Sequence, residues 1–391
     1  MTQTRRLTGF FVALTASSMA FSALAADPLK IGFVLPMSGP FAAYGKQIEH
    51  GARLYLKEHK DTIAGRKVEI LVKDDTGVAP EISKRAAQEL LVKDRVDILA
   101  GFGLTPSAFA VAPLATEAKK PMVVMNAASS AITTKSNFIM RTSHTLPQVT
   151  APVASWAAAN KIRKVFTLVA DYGPGHDAEA QFRKTFTAAG GEIIGEVRTP
   201  VKNPDFAPFL QKIKDAKPDA VFLFVPPGEQ TIAFMKGFAE RGLAKAGIHI
   251  IGTGDLTDED LLDTVGDNAL GIITSFHYAD AHKSPENQAY TDAYAKAYPK
   301  DRPNFMSVGG YDGMQLIART LEKTKGDASG EKFIEAARGM SWNSPRGPVS
   351  IDPVTRDIVQ TIYIRKVTRV GSKLQNIEFD QVPAFKDPGK Q

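Results

Sequence analysis

The stretch "RVDILAGFGLTPSAFAVAPLATEAKKPMVVMNAASS", residues 95–130, decides the fold class. Apolar residues accumulate through Val96–Ala100 and stop at Gly101; they do so again through Met122–Met125 and stop at Asn126. Short apolar runs bounded by turn residues read as strands buried on both faces. Between them, Ser107–Ala118 has the length and composition of a helix, entered through Thr105 and Pro106. A helix connecting two such strands is a right-handed crossover, and the strands it joins run parallel.

The same alternation extends in both directions. Upstream, "LKIGFVLP" (29–36) and "KVEILVKDD" (67–75) are strands. Helices follow at Gln47–Leu56 and at Ile82–Val92, the latter with Ile82, Ala86 and Leu90 on one face. After Arg141 the pattern restarts with strands "RKVFTLVAD" (163–171), "GEIIGEVRTP" (191–200), "DAVFLFVPP" (219–227), "HIIGTGD" (249–255) and "NALGIITSFHY" (268–278). Helices are expected between these at about 177–188, 206–216 and 231–241. Two successive sets of βα units imply two doubly wound, parallel-sheet α/β lobes. The tail departs from this pattern. A long helical stretch (304–339) precedes two consecutive strands, "GPVSID" and "RDIVQTIYIRKV", around a turn at Asp352-Pro353. No low-complexity linker separates the halves, so short crossover segments are expected.

Composition bounds the function classes. The 391 residues are 43% hydrophobic and 23% charged, which fits a globular chain of two domains. The N-terminal "MTQTRRLTGFFVALTASSMAFSALAAD" has a basic start (Arg5, Arg6), an apolar stretch and a small-x-small site at Ala23-Leu24-Ala25. It reads as a secretory signal peptide, residues 1–25, cleaved near Ala25. The sequence contains no cysteine, which excludes disulfides, thiol chemistry and a lipid-modified cysteine at the cleavage site. The net charge is +6, of which the leader's Arg5 and Arg6 supply two, leaving +4. Those charges are interspersed, with no basic patch of the kind nucleic acid requires.

Open parallel sheets place ligands beyond the C-terminal ends of their strands. Those ends are 36–44, 101–106, 126–130, 171–175, 225–228, 253–256 and 276–278. They are rich in Gly, Pro, Ser, Thr and Tyr; their only acidic residues are Asp171 and Asp255, and they hold no Lys or Arg. That chemistry suits recognition better than catalysis. "GFGLTP" approaches a dinucleotide-binding turn, but Pro106 takes the third glycine position and Asn126 replaces the acidic residue that would hold a ribose. A nucleotide-dependent reductase is thereby disfavoured. Nucleophile elbow, metalloprotease and P-loop patterns are missing, and His277 and His282 have neither helical spacing nor an acidic cluster for a metal. No cofactor and no metal are expected.

Individual residues keep two readings each. Thr105 is either a plain helix N-cap, with Pro106 beginning the helix, or one wall of a carboxylate site at the helix start. Ser129 and Ser130 are loop residues or further hydroxyl donors. Tyr172 in "DYGPG" either closes over a ligand or begins a tight turn. Asp255 either pairs with a ligand ammonium or caps a helix at 256–262. Arg141, His144, His176 and His277 are left between ligand contact and structural support.

The order "KIGFVLPMSGPFAAYGKQIEHGARL", "VEILVKDD", "ILAGFG", "PMVVMNAASSAIT", "DYGPG", "DAVFLF" and "GGYDGMQLI" resembles the Leu/Ile/Val-binding family of periplasmic solute-binding proteins, which serve ABC importers. The resemblance runs from about Leu29 to Val367. It implies the type I periplasmic binding fold, two α/β lobes joined by three crossovers and closing on a ligand. Lobe 1 would comprise residues 26–141 and 276–344, and lobe 2 residues 142–275 and 345–391. The family's first-lobe hydroxyl pair and its "G-A-T" fall here on Leu104-Thr105 and Ala127-Ala128-Ser129. Its second-lobe tyrosine falls on Tyr172, and its acidic ammonium partner at or near Asp255. Pro226-Pro227 stands where amino-acid binders have a more polar or aromatic loop. With Tyr44, Phe276 and Tyr278 added as aromatic walls, these departures favour a small carboxylate, an aromatic acid such as a hydroxybenzoate, over a branched-chain amino acid. The same resemblance implies a periplasmic monomer, free of a lipid anchor, that delivers its ligand to a membrane permease by lobe closure. A sensory binding domain is disfavoured because the sequence carries no attached output segment.

Overall fold

In the computed structural model, residues 27–390 are described; the expected leader and its cleavage point lie outside them. The first sheet is built from β1 (Leu29–Leu35), β2 (Thr62–Ile63), β3 (Arg66–Asp74), β4 (Ile98–Gly101), β5 (Met122–Val124) and β6 (Ile139–Arg141). Their order across the sheet is β2-β3-β1-β4-β5-β6, parallel except for the β2–β3 hairpin. Three helices cross over it: α1 (Ala42–Glu58), α2 (Pro80–Gln88), which runs on into a π-helical turn at Glu89–Lys93, and α3 (Thr105–Glu117).

The chain then passes through Thr142–Thr145 into α4 (Leu146–Ala159) and a second sheet. Its parallel part is β7 (Lys164–Ala170), β8 (Glu192–Thr199), β9 (Ala220–Phe224), β10 (His249–Thr253) and β11 (Ile273–Phe276). Helices α5 (Gly173–Ala188), α6 (Ala207–Ala216), α7 (Glu229–Glu240) and α8 (Glu259–Val265) lie between these strands. After β11 the chain returns to the first lobe as α9 (Pro285–Ala297), α10 (Phe305–Lys323) and α11 (Gly330–Ala337). It closes with β12 (Ser341–Ser344), β13 (Gly347–Ile351), β14 (Ile358–Val370) and β15 (Lys373–Phe385) on the antiparallel side of the second sheet. Strands such as β5 and β9 are apolar throughout because both of their faces are buried.

Several expectations change here. The helical stretch at 304–339 is two helices, parted at Lys325 and Gly326, whose positive φ values of 57° and 86° end α10. Residues 341–344, expected in the first lobe, pair with β13 in the second sheet. The strand expected at 268–278 shortens to Ile273–Phe276, and β15 extends the second sheet beyond the strands foreseen.

Buried charges tie the crossing segments together. Arg346, at the β12–β13 turn, pairs with Asp312 of α10 at 2.9 Å and donates to the carbonyl of Thr142. Trp342 Nε1 (3.0 Å) and Ser344 Oγ (2.7 Å) also donate to Asp312. Arg141 makes a two-pronged contact with Asp357 and donates to the carbonyls of Ala127 (3.2 Å) and Ser129 (2.7 Å), so it shapes the loop leaving β5.

Candidate functional site

Among the parallel strands of each sheet the order reverses at one point, between β1 and β4 in the first and between β7 and β9 in the second. Ligand crevices form at such switch points. Here the two crevices face each other across one small cavity lined by residues of both lobes.

Of the residues singled out in the sequence, Tyr44, Leu104, Thr105, Ala127, Ala128, Tyr172, Pro227 and Asp255 line this cavity. Ser129, Phe276 and Tyr278 do not. Ser129 turns its hydroxyl away, to Asp177 of α5 at 2.8 Å. Phe276 is buried edge-on against Phe305 (4.8 Å between centroids) with Arg365 over its ring, so it supports the wall from behind. Tyr278 is sequestered against Tyr290. The lining also includes Gly103, Asn126, His144, Leu146, Pro174, Phe224, Phe305 and Met306. Of the residues left open, His176 forms an exposed pair with Asp171 (2.7 Å), and His277 is buried behind His144.

The first-lobe wall is shaped by a tight exit from β4. Gly101 and Phe102 both adopt positive φ (98° and 63°), a conformation that is strained for phenylalanine. Backbone bonds on both sides hold it there: Phe102 N–H donates to Val34 O, and Phe102 O accepts from Ala127 N–H, each at 2.9 Å. The chain then enters α3 at Thr105, with Leu104 as the N-cap rather than Thr105. The Thr105 hydroxyl instead accepts from Ser129 N–H at 3.2 Å. The first-turn amides of α3 have no partner within the helix and carry its positive dipole end. Beside them, Ala127 and Ser130 N–H are engaged, to Phe102 O and to Asp177. The Ala128 amide between them has no partner among the described residues. Free amides and a helix start, with no lysine or arginine lining them among the described residues, make a neutral cradle for a carboxylate.

The second lobe supplies Tyr172, whose ring is nearly parallel to that of Phe224 (15°, centroids 6.2 Å apart), together with Pro227 and Asp255. Tyr44 spans the gap, donating its hydroxyl to Pro227 O at 2.9 Å. Asp255 lies in a 3-10 turn, not at a helix cap, and accepts from the Thr253 hydroxyl at 2.6 Å. Burial pushes its carboxyl up to about 6, against the opposing pull of the Thr253 bond and Arg365. Burial also pushes both the Tyr44 and Tyr172 hydroxyls well above the usual tyrosine range. Among the described residues no cluster of His, Asp or Glu has metal-binding geometry.

The chain matches the periplasmic binding protein family over residues 28–373. It is 45% identical over 379 residues to Leu/Ile/Val-binding protein homolog 6 of Brucella melitensis, covering 96% of this chain and 97% of that relative. Among solved structures it is similar to an ABC-transporter solute-binding protein of Rhodopseudomonas palustris BisB5 in complex with 3,4-dihydroxybenzoic acid. The identity there is 55%, the TM-score 0.90, and the coverage 93% of this chain and 99% of that one. A second R. palustris solute-binding protein, in complex with 4-hydroxybenzoate, is 44% identical with a TM-score of 0.90, over 93% of this chain and 100% of its own. With its two opposed switch points and a match that spans nearly all of both lobes, the chain belongs to the periplasmic binding protein family.

Proposed function

We propose that this protein is the solute-binding component of an ABC importer that captures an aromatic carboxylate. The observation that carries the reading is the cavity's chemistry: flat apolar walls from Tyr172, Phe224 and Phe305 beside an amide cradle with no cation. A planar ring stacks between such walls, and its carboxylate meets the Ala128 amide and the start of α3. The complexes formed by the two R. palustris relatives support the same ligand class. Export through a cleaved leader, function as a monomer without a lipid anchor, and presentation of the closed form to a permease complete the proposal. The sequence's lack of cysteine supports the unanchored state. The role is binding, not catalysis.

Asp255 favours one second reading, a branched-chain amino acid whose ammonium would pair with this buried carboxylate. A thermal-shift screen of protein refolded free of ligand separates the two. At 100 times its Kd a ligand stabilises by about 2.7 kcal/mol, a readily resolved shift. Benzoates shifting the midpoint while leucine, isoleucine and valine do not is the expected result. The reverse pattern would establish the amino-acid reading, and a response to a nicotinamide nucleotide alone would defeat both.

A further inference from the structure

Two side chains on the cavity wall hold hydrogen-bonding capacity that the protein leaves unused. Asn126 donates its amide nitrogen to Gly103 O at 2.7 Å, which fixes the orientation of the amide. Its Oδ1 is buried with no donor among the described residues. His144 is 1% exposed, and neither of its ring nitrogens has a hydrogen-bond partner among the described residues. The ring is held by stacking on His277 (centroids 4.8 Å apart, 27°) and by edge contacts with Phe276 (4.9 Å) and Phe305 (5.9 Å). Burial, helped by the charges of Arg141 and Arg346, lowers its proton affinity to about 3, so the imidazole is neutral and carries one N–H and one lone pair. The wall therefore offers two unmet acceptors and one unmet donor. Buried groups of this kind are uncommon without a partner.

A carboxylate has only acceptor atoms and cannot satisfy either Asn126 Oδ1 or the imidazole lone pair. An unsubstituted ring satisfies nothing. A ring hydroxyl both donates and accepts, and it leaves the ligand's carboxylate to the amides of Ala128 and α3. We propose that the site selects aromatic acids bearing a ring hydroxyl, and that Asn126 and His144 are the side chains that read it. The hydroxyl gives its hydrogen to one of the two acceptors and takes the imidazole N–H in return; a second, adjacent hydroxyl would engage the remaining acceptor. The inference rests on the aromatic-acid reading and narrows it.

Calorimetric Kd values for benzoate, 3-hydroxybenzoate, 4-hydroxybenzoate, 3,4-dihydroxybenzoate and leucine test it on the wild-type protein and on His144→Phe, His144→Gln and Asn126→Ala. The wild type is expected to bind the best hydroxylated acid at least tenfold tighter than benzoate. His144→Phe keeps the aromatic packing and should bring that ratio below threefold. His144→Gln restores a donor and an acceptor and should recover part of the ratio. If His144→Phe does not fold, Asn126→Ala provides the same comparison. Equal affinity for benzoate and its hydroxylated forms in the wild type, or an unchanged ratio in His144→Phe, would overturn the inference and leave the aromatic-acid reading intact. Binding of leucine without any benzoate would overturn both.

Discussion

Asp255 is the residue at which the two ligand classes part. Among the described residues it is the only carboxylate on the cavity wall, and its sole side-chain hydrogen-bond partner is a neutral hydroxyl. Its pKa is raised to about 6 by burial, so the folded protein favours the protonated form. In the unfolded chain an aspartate titrates near 3.9. Stability tied to this group is therefore fully present below pH 4, is lost as the pH rises through 6, and stays lost above it. The loss is on the order of 2–3 kcal/mol. Asp255→Asn removes that ionisation. In urea melts of the ligand-free protein, the variant's advantage over wild type should be small at pH 4 and grow to its full size by pH 7.5. A pH-independent difference would mean that Asp255 does not ionise in the buried state. The same substitution separates the ligands, because losing a buried charge partner costs roughly 2–5 kcal/mol. An ammonium-bearing ligand should lose at least thirtyfold in affinity, whereas an aromatic acid, no longer facing a like charge, should bind as well or better. The sequence led to Asp255 through its place at a strand end. It led equally to Phe276 and Tyr278, because that logic identifies which end of a strand is near the ligand and not which way a side chain turns. His144 follows the three-residue β6, and its unpaired nitrogens are a property of the packed structure that no spacing pattern carries.

At the scale of elements, the first lobe depends on one helix pair that the sequence hides behind its glycines. α1 and α10 approach so closely that a Cβ on Gly51 would lie 1.8 Å from the carbonyl oxygen of Ser307, and one on Gly310 would lie 2.1 Å from that of Ile48. Neither glycine has positive φ, so contact rather than backbone conformation is what requires them. Gly51→Ala must push backbone against backbone, which cannot be relieved by rotating a side chain. Overpacking of this kind costs about 1–3 kcal/mol, and the upper end is expected here because the obstruction is main chain. Thermal unfolding would register it as a clear drop in midpoint, whereas Gly65→Ala, at a site with open space around its Cβ, would test only the cost of positive φ. An unchanged midpoint for Gly51→Ala would mean the helices can separate freely. The buried β/α alternation was legible because strands covered on both faces are uniformly apolar. β15 was not: "KLQNIEFDQVPAF" is largely polar, contains Pro383 and packs one face only, with register shifts along its pairing to β14. α4 was obscured for a different reason, since Pro147 and Pro152 interrupt its pattern although it is buried along most of its length.

For the molecule as a whole, closure depends on contacts that exist only when the two lobes meet. Tyr44 reaches Pro227 O (2.9 Å), Gln47 Nε2 reaches Asp260 (2.7 Å), and Asn304 Nδ2 reaches Asp258 (3.1 Å). The most localised of these clasps is Asp177, whose Oδ2 accepts both the Ser129 hydroxyl (2.8 Å) and the Ser130 amide (2.9 Å). Those donors sit on the loop that presents Ala128, so the clasp joins the carboxylate cradle to the second lobe without touching the cavity. A ligand shifts the open–closed balance only through interactions made in one state, and protein contacts unique to the closed state add to its effect. In an open form, water satisfies the two donors and Asp177 alike, so Asp177→Ala should leave the open state nearly unchanged and weaken the closed one. A hydrogen bond to a charged group contributes about 1.5–3 kcal/mol. Allowing for the partial exposure of Asp177, roughly a tenfold rise in Kd is expected, expressed as faster dissociation with little change in association. Stopped-flow kinetics would separate the two rates, and small-angle scattering at matched ligand saturation would report the closed fraction. A slower association at constant dissociation would mean that Asp177 acts on ligand entry instead. An unaltered Kd would mean the remaining bridges, Tyr44 to Pro227 above all, hold the lobes together without it.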